Sequence, residues 1–559
     1  MKVLYHKHSF LIEDTQCPVK FKEDNISFES EAYIIRTGGY FLNKKECLER
    51  FSCKTLPDLI CKMVEQGVQV PKELHGGYFI VVYHKHSHRL HLYNDLLSKH
   101  SLFYYYDKTS ESFFASDSFF DTLQIVRDNK LPFSIDSLGV KMMFWHRMFY
   151  DNLTYINEIK FLRPFEYLVV NNGEMKMEKM PLPQIIEVSR DKAANEIHQR
   201  FNKAVQLQYL RNEQEGYPQI ITLSGGMDSR STFLYGLANG YTKQSGYCYG
   251  ESTSVDREYA QKLAAEHHCD FYFHSIDNGD HLLKREELCK ANEGQMLYSG
   301  PSGAYDSLHF YDTSQWGIVH TGLGGGEIMG DMRVAENPTK TEQLIESLKY
   351  RFGKGKKART WDAFVSSLRC NEEEKKRLAD IYQYYGNFNM FHSLNDMRRC
   401  LNGQKMGQYF GVEYVSPFLY EDFFCYMLQI PYSQTKARGL YLYWQKKYNP
   451  QQFETPSTFQ LGCRPENKLG YYAIRFFCYL MNKIGRKTKH DMIPVEHWMA
   501  KNPHIAQTQQ EWFEKDMSNI RLNVNDSIIN LIMDSWNNNT TSKLNILTAT
   551  WALNNIFKK

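Results

Sequence analysis

The rhythm of hydrophobic and polar positions changes near residue 185. Before this point, residues 76–95 and 101–119 each carry apolar runs on either side of a polar tip, and these patterns predict two β-hairpins. Beyond it, residues 189–212 repeat apolar positions with the helical period and predict a long amphipathic helix. We therefore expect a strand-rich domain over residues 1–185 and a second domain over residues 186–559.

Strands and helices alternate in the first part of the second domain. Short apolar runs predict strands at 218–223, 243–250, 270–276 and 316–322, and helical segments separate the first three of them. This alternation is typical of a doubly wound parallel sheet. Residues after about 340 are rich in helix signals and show no clear strand. The expected fold class is α/β with a helical C-terminal part.

A glycine pair follows the first of these strands, in the sequence ITLSGGMDSRSTF at residues 221–233. In an open parallel sheet, ligands bind beyond the carboxyl ends of the strands, where the next helix begins. Gly225 and Gly226 lack a Cβ that would block an anion, so several N–H groups can converge there on one phosphate. Asp228 would repel a bare phosphate, and we interpret it as a ligand of the magnesium that accompanies a nucleotide. The alternative is a plain strand-to-helix turn with serine and aspartate caps.

Residues 223–230, LSGGMDSR, resemble the pyrophosphate-loop signature of the asparagine synthetase-like family of ATP amide ligases, which includes β-lactam synthetases and lasso-peptide cyclases. Residues 319–330 resemble the second ATP-facing loop of that family, and residues 411–423 resemble a further conserved segment. The first 180 residues are similar to the family's glutaminase domain, an N-terminal-nucleophile fold with αββα layers. The resemblance implies that the second domain is an ATP pyrophosphatase.

The resemblance also implies ATP and Mg²⁺ as cofactors and a set of site residues. The ATP and pyrophosphate site would be formed by Leu223, Ser224, Gly225, Gly226, Asp228, Ser229, Thr321 and Gly322. Asp228 and Glu327 would hold the metal and take part in catalysis. A cation that stabilises the departing pyrophosphate is also expected, and the nearest candidates in the sequence are Lys436 and Arg438.

The glutaminase-like domain departs from the family pattern at its nucleophile. The family uses a cysteine that follows the initiator methionine, whereas Lys2 occupies that position and the nearest cysteine is Cys17. A thiol is needed for attack on the glutamine amide, because the lysine ammonium is no nucleophile at its normal pKa. We therefore expect this domain to be a scaffold that does not hydrolyse glutamine.

The second ATP-facing loop also departs from the family pattern. Acids are usual at the positions of Leu323 and Gly326, so the second carboxylate is absent unless Glu327 or Asp331 substitutes for it.

The sequence favours an ATP-dependent ligase that adenylates a carboxylate and forms an amide with release of AMP and pyrophosphate. A nucleotide-binding pseudoenzyme or partner subunit is the alternative, and an asparagine synthetase of the glutamine-dependent type that obtains ammonia otherwise is a second one.

The charge balance bears on the kind of binding partner, and the cysteine usage bears on the cellular compartment. The chain carries 67 basic and 64 acidic residues, which gives no electrostatic reason to expect a nucleic-acid or membrane partner. Residues 471–481, YYAIRFFCYLM, are apolar but too few to span a bilayer. The 12 cysteines form no C-x-x-C pair, and a cytoplasmic protein is expected. Its partners would be small-molecule or peptide carboxylates and amines, with a protein that donates ammonia or presents the substrate as a further possibility.

Overall fold

The computed structural model describes residues 1–6, 9–13, 20–300, 302–330, 370–386, 388–458, 461, 463, 468–484, 486–537 and 543–558. Its first half contains two antiparallel sheets. One has the strand order β2-β1-β8-β7-β9 and the other the order β11-β10-β6-β5-β4-β3. The strands are β1 (Lys2–His6), β2 (Ser9–Glu13), β3 (Ser27–Glu29), β4 (Tyr33–Phe41), β5 (Gly76–His84), β6 (Arg89–Asn94), β7 (Phe103–Asp107), β8 (Ser112–Ser116), β9 (Ile159–Phe161), β10 (Glu166–Asn171) and β11 (Glu174–Lys179).

The two sheets pack face to face, with helices on both outer faces. Val3, Phe113, Phe79 and Leu168 belong to one buried cluster drawn from both sheets. The outer face of the six-stranded sheet packs against α1 (Lys44–Arg50), α2 (Leu56–Glu65) and α3 (Val70–Glu73), and the five-stranded sheet against α4 (Phe119–Asp128) and α5 (Ser137–His146). The result is the expected αββα order of layers. The predicted hairpins are confirmed, because β5 pairs with β6 and β7 pairs with β8.

The second half begins with a long helix and contains a parallel sheet. The sheet has the strand order β14-β13-β12-β15-β16, and every neighbouring pair is parallel. The elements are α6 (Arg190–Gln214), β12 (Gln219–Thr222), α7 (Met227–Ala238), β13 (Gln244–Gly250), α8 (Val255–Glu266), β14 (Asp270–Ser275), α9 (Arg285–Asn292), α10 (Ser302–Phe310), β15 (Ile318–His320) and α11 (Gly325–Ile328).

Helices cover both faces of this sheet, as a doubly wound fold requires. Successive residues of β12 point to opposite faces. Ile221 packs in a cluster with Phe233 of α7 and Leu263 of α8. Ile220 packs on the other face in a cluster with Leu308 of α10. The prediction of a doubly wound parallel sheet is therefore confirmed.

The C-terminal part is helical, but it also supplies one strand that the sequence pattern did not predict. Its helices are α12 (Glu372–Tyr385), α13 (Phe388–Tyr409), α14 (Glu421–Gln429), α15 (Tyr432–Thr435), α16 (Gly439–Tyr448), α17 (Lys468–Lys483), α18 (Val495–Lys501), α19 (Pro503–Asn523), α20 (Asp526–Asn537) and α21 (Lys543–Ile556). The strand β16 (Glu413–Val415) lies at the edge of the parallel sheet beside β15. The expectation of no strand after residue 340 was wrong, because three residues are too few to show an alternating pattern.

Within the residues described, no helix is both long enough and apolar enough to cross a membrane.

Packing joins the two halves closely. The C-terminal helix α21 lies against α5, where Asn545 Nδ2 donates to the Phe144 carbonyl over 2.6 Å. Lys99 of the first half pairs with Glu421 of the second half at 2.7 Å, and both side chains are buried. The proposed boundary between residues 185 and 186 stays a prediction.

Candidate functional site

The order of the parallel strands creates a crevice at one edge of the sheet. The chain leaves β12 toward β13 on one side and later returns to β15 on the other side of β12. Ligands of open α/β sheets bind at such a point, beyond the carboxyl ends of the diverging strands. The loops that follow β12 and β15 border this crevice, and a cavity of about 760 Å³ opens there.

Most of the predicted site residues meet in this cavity, although the sequence separates them by up to 215 positions. The cavity is lined by Leu223, Ser224, Gly226, Asp228, Ser229, Thr321, Gly322, Glu327 and Arg438. Gly225 and Lys436 are not among its lining residues, and Asp331 lies outside the described residues. The structure therefore brings together the two loops and one of the two candidate cations, while their roles in ATP binding and catalysis stay predictions.

The first loop is a tight turn held by its own serines. The Ser224 amide donates to Ser229 Oγ over 3.2 Å, and the two serine hydroxyl oxygens lie 3.1 Å apart. The Gly226 amide donates to Ser224 Oγ over 3.2 Å. Helix α7 begins immediately afterwards, and its N-cap residue Gly226 has no side chain with which to cap the helix. The positive end of a 12-residue helix is thus directed at the cavity, which favours an anion there.

Gly225 has a packing contact that the sequence did not predict, while its role in ATP binding stays a prediction. Its amide donates to Asp256 Oδ1 over 3.2 Å, and an added Cβ would lie 2.6 Å from Thr458 Cγ2. Glycine is required here for close packing behind the loop, and the residue does not line the cavity. Burial raises the pKa of Asp256, which also accepts from Thr458 Oγ1 over 3.4 Å.

Buried Arg230 fixes the back of the loop, a contact that the sequence reasoning missed. Its guanidinium donates to the carbonyls of Gln452 at 3.0 Å, Thr455 at 2.6 Å and Pro456 at 2.7 Å. Burial lowers the pKa of Arg230 to about 10. One side chain of α7 thereby ties a segment more than 200 residues away to the turn. Its place directly after the loop motif is the only sequence signal for this role.

The second loop packs against the start of α7 at van der Waals distance. An added Cβ at Gly322 would lie 2.3 Å from the Ser229 amide nitrogen, and one at Gly325 would lie 2.6 Å from Asp228 Cγ. Thr232 Oγ1 of α7 donates to the Thr321 carbonyl over 3.0 Å. Only glycine permits this approach, so the two loops form one wall of the cavity.

A strained turn places Arg438, one of the two candidate cations, beside the first loop. Ala437 has a φ of 51° and Arg438 has a φ of 57°, a left-handed backbone that costs on the order of 1 kcal/mol per residue outside glycine. The turn buries Arg438, whose Nη1 lies 3.2 Å from Asp228 Oδ1, while Lys436 is exposed to solvent. The guanidinium also stands 5.4 Å from the ring centroid of Tyr441. The geometry therefore distinguishes between the two cations that the sequence left open.

A further part of the cavity lining is largely apolar and was not predicted. It includes Tyr247, Cys248 and Tyr249 at the carboxyl end of β13, together with Leu297. Burial raises the pKa of Cys248 to about 12, so this thiol is protonated near neutral pH and is no nucleophile. Arg147 from the end of α5 also lines the cavity, so the first half contributes a side chain to it. The rule for sheet edges, applied to β13, could have indicated the tyrosines, but no sequence signal indicated Arg147.

A second cavity, of about 310 Å³, lies in the first half at its contact with the second. Polar side chains from both halves line it, including His100, Asp117, Lys405 and Glu413. His100 Nε2 lies 3.7 Å from Asp117 Oδ2, and burial raises the pKa of Glu413. Among the described residues that line this cavity there is no cysteine.

None of the three described cysteines of the first half, Cys47, Cys53 and Cys61, lines the second cavity. Burial raises the pKa of Cys47 and that of Cys61 to about 11, and neither residue lines the second cavity. Cys17 lies outside the described residues. Lys2 is part of β1, with its Nζ 3.4 Å from Asp121 Oδ1.

Comparison with known proteins gives one family match. Residues 42–180 match the family described as a glutamine amidotransferase domain. This stretch covers about a quarter of the chain and coincides with most of the αββα half. It indicates an amidotransferase-type domain there. The comparison with curated proteins finds no match.

Two solved structures are similar at a low level. Glutamine phosphoribosylpyrophosphate amidotransferase from B. subtilis has 10% identity and a TM-score of 0.21, with 52% of this chain and 76% of that chain covered. A structure described as the allosteric regulatory enzyme of purine biosynthesis has 8% identity and a TM-score of 0.19, with 44% of this chain and 61% of that chain covered.

Proposed function

We propose that the protein is an ATP-dependent ligase that activates a carboxylate as an acyl-adenylate and forms an amide from it. The observation that carries this proposal is the convergence of the Ser224–Ser229 loop, the Thr321–Glu327 loop and Arg438 on one cavity at the edge of a parallel sheet. A helix N-terminus and an arginine suit a polyphosphate, and the tyrosine-lined wall suits a purine ring.

The reaction has two steps that this cavity suits. A carboxylate oxygen of the substrate attacks the α-phosphorus of ATP, and the bond to the β-phosphate oxygen breaks to release pyrophosphate. An amine then attacks the acyl carbon, AMP leaves with the bonding electrons, and the amine loses a proton. Arg438 and the first turn of α7 would neutralise the charge that develops on pyrophosphate. Holding both reactants in one cavity removes about 7–11 kcal/mol of the barrier in favourable cases.

The carboxylates in the cavity fit a magnesium ion shared with phosphate oxygens. Among the described residues no group of three or more acidic, histidine or cysteine side chains could hold a metal alone. Magnesium in nucleotide sites needs only one or two carboxylates, because phosphate oxygens and water complete its coordination. Asp228 and Glu327, which both line the cavity, would hold it, and the ion would supply charge neutralisation of the phosphates.

The amine in this proposal does not come from glutamine hydrolysed by the protein itself. The second cavity has no cysteine among its described lining residues, and the thiols of Cys47 and Cys61 are protonated near neutral pH. Free ammonia, an amine of the substrate or a donor protein would supply the nitrogen. The family match of residues 42–180 favours a second candidate function, that of a glutamine-using transferase.

Pyrophosphate and AMP release by the full chain tests the proposal. Purified protein is incubated with ATP, Mg²⁺ and mixtures of carboxylates and amines, with ammonium and glutamine supplied separately. We expect equal amounts of pyrophosphate and AMP with ammonium or an amine, and no glutamate from glutamine. Asp228→Asn should reduce the rate by about a hundredfold or more, because the metal loses a ligand in the transition state. Asp380→Asn, an exposed carboxylate on α12, is the matched control.

Each other result has a defined meaning. Tight ATP binding without turnover in any mixture would support the nucleotide-binding pseudoenzyme instead. Glutamate release coupled to product formation would support the glutamine-using transferase. Failure of the wild-type protein to bind ATP by calorimetry would rule out both nucleotide-based functions.

A further inference from the structure

Helix α17 exposes the apolar side of an amphipathic pattern to solvent. Leu469, Tyr472, Phe476 and Leu480 follow one another at intervals of three or four residues, so they share one face of the helix. Their side chains are between 45% and 86% exposed. Phe477 and Ile484 beside them are also more than half exposed. Ordinary surface helices place such residues toward the core and polar residues outward.

The opposite face of α17 is only half-buried. Ile474, Cys478 and Met481 on that face are neither fully exposed nor fully buried. The helix therefore contacts the protein through the side with fewer large apolar residues. The side with more of them is exposed to solvent. Contiguous apolar surface of this kind marks a surface for a partner or a membrane.

The charge around this face distinguishes between a second copy of the protein and a membrane as the binding partner. From Lys468 to His490 the sequence contains six basic residues and no acidic one; the basic residues are Lys468, Arg475, Lys483, Arg486, Lys487 and Lys489. Arg475, Arg486 and Lys489 are exposed. A second copy of the same helix would bring like charges together, whereas an anionic lipid surface offers the opposite charge along with an apolar layer.

We propose that α17 binds the surface of an anionic lipid bilayer. A large apolar face rich in phenylalanine, tyrosine and leucine, with basic residues at its margins, is the pattern of helices that lie in the plane of the membrane interface. The 16 residues of α17 extend about 24 Å, which is shorter than the ~30 Å hydrocarbon core, so the helix lies flat and does not span. This departs from the expectation of no membrane partner, which rested on the net charge of the whole chain.

The segment after α17 anchors this surface to the folded protein. The Val255 amide donates to the Lys489 carbonyl over 2.8 Å, and the Glu251 amide donates to the Met492 carbonyl over 2.9 Å. Lys487 also forms an ion pair with Glu251 at 2.5 Å. Met492 lines the cavity at the sheet edge. The segment from Lys487 to Met492 is therefore fixed to the body of the protein, and a bilayer bound to α17 would hold the whole molecule.

Co-sedimentation of the full chain with vesicles tests this inference. We expect binding to phosphatidylcholine vesicles that contain phosphatidylserine to be about tenfold or more stronger than to phosphatidylcholine alone, and to weaken as salt is raised. The double variant Leu469→Gln and Phe476→Gln should lose about tenfold or more of this affinity, because two large apolar groups no longer enter the interface. Arg475→Gln and Arg486→Gln should weaken binding to anionic vesicles without changing binding to neutral ones.

A matched control uses apolar residues that are equally exposed elsewhere. Phe310→Gln and Leu522→Gln change side chains that are 68% and 81% exposed, outside α17, and should leave vesicle binding unchanged. Thermal unfolding checks that the variants fold. Equal binding by the wild type and the α17 variant, or no binding to either vesicle, would overturn the proposal. So would self-association in analytical ultracentrifugation that the α17 substitutions remove, since the face would then be a protein interface.

Discussion

The cavity at the parallel sheet edge and the cavity in the αββα half differ in how they are built. The cavity at the parallel sheet is formed by loops that touch at glycine positions, where Gly322 meets the start of α7, and by a strained turn that buries Arg438. The cavity in the αββα half keeps a pair of close polar groups, His100 and Asp117, but no cysteine among its described lining residues. The first brings together groups suited to an anion, whereas the described lining of the second offers no thiol. Apolar packing maintains the layers of a domain, whereas its chemistry depends on single side chains, so the αββα packing does not by itself show which reaction the second cavity supports.

Gly322→Ala should have the largest effect on the first cavity. Its Cβ would meet the backbone of Ser229 at 2.3 Å, and the two loops would have to separate. Because displacement of a site by about 1 Å can cost on the order of a hundredfold in rate, we expect at least that loss of ATP-dependent pyrophosphate release. Gly240→Ala is the control, since no atom lies within 4 Å of the added carbon and only backbone strain results. Normal turnover by Gly322→Ala would mean that the two loops do not form the site.

Arg438→Gln should have the next largest effect, a loss of about a hundredfold in turnover, because one charge-stabilising donor is removed from the cavity. Lys436→Gln is the matched comparison on the same turn and should change the rate by no more than about twofold, because Lys436 is exposed and outside the cavity lining. Steady-state kinetics of both variants, with ATP affinity measured separately, gives the result. A greater loss in the lysine variant would reverse our assignment of the cation.

Arg230→Lys should lower the free energy of unfolding by about 1.5–3 kcal/mol, since an ammonium centred on one nitrogen cannot reach all the buried carbonyls that two guanidinium nitrogens bind. Urea unfolding measures this change. ATP affinity should fall as well, because the segment at Gln452–Pro456 would no longer hold the back of the loop. Arg257→Lys provides the control, as Arg257 is half-buried and donates to one carbonyl, that of Ser252 at 3.1 Å. An unchanged stability would show that the arginine is not a clamp.

Asp117→Asn should have the smallest effect, a change of about twofold or less in ammonium-dependent pyrophosphate release. Asp117 belongs to the second cavity, and our interpretation gives that cavity no step in the reaction. The same assay is run with ammonium as the amine, and thermal unfolding is measured in parallel. A tenfold loss of rate in a variant that unfolds at the wild-type temperature would make the second cavity part of the active machinery and remove the contrast between the two.

Local patterns predicted most of the fold. The hairpins of the first half and the helix α6 have strong periodicity, and the alternation from β12 to β14 contains regular turn signals, so each could be recognised from neighbouring residues alone. The strand β16 could not, because its three residues are strand only through pairing with β15. The exposure of α17 could not be predicted either. The same apolar pattern would describe a helix buried in a core, and only the described tertiary structure shows which side of α17 is exposed.

The candidate site was predictable to the extent that it follows one strand. The turn after β12 carries its own signal, since paired glycines with serine and aspartate have few other uses at that position. The separation of Arg438 from Lys436 depends on the left-handed backbone at Ala437 and Arg438, which no pattern of residue types indicates. The bond from Gly225 to Asp256 likewise arises from contact between segments that are distant in the sequence.

The sequence by itself determined the hairpins of the first half, the parallel sheet and the position of its glycine turn, because these depend on hydrophobic period and backbone freedom within short windows. Only the tertiary structure decided which cation enters the cavity, that Arg147 from the first half joins it, and that α17 faces outward. These placements depend on contacts between segments that are distant in the sequence. No single stretch of the chain determines the free energy of such contacts.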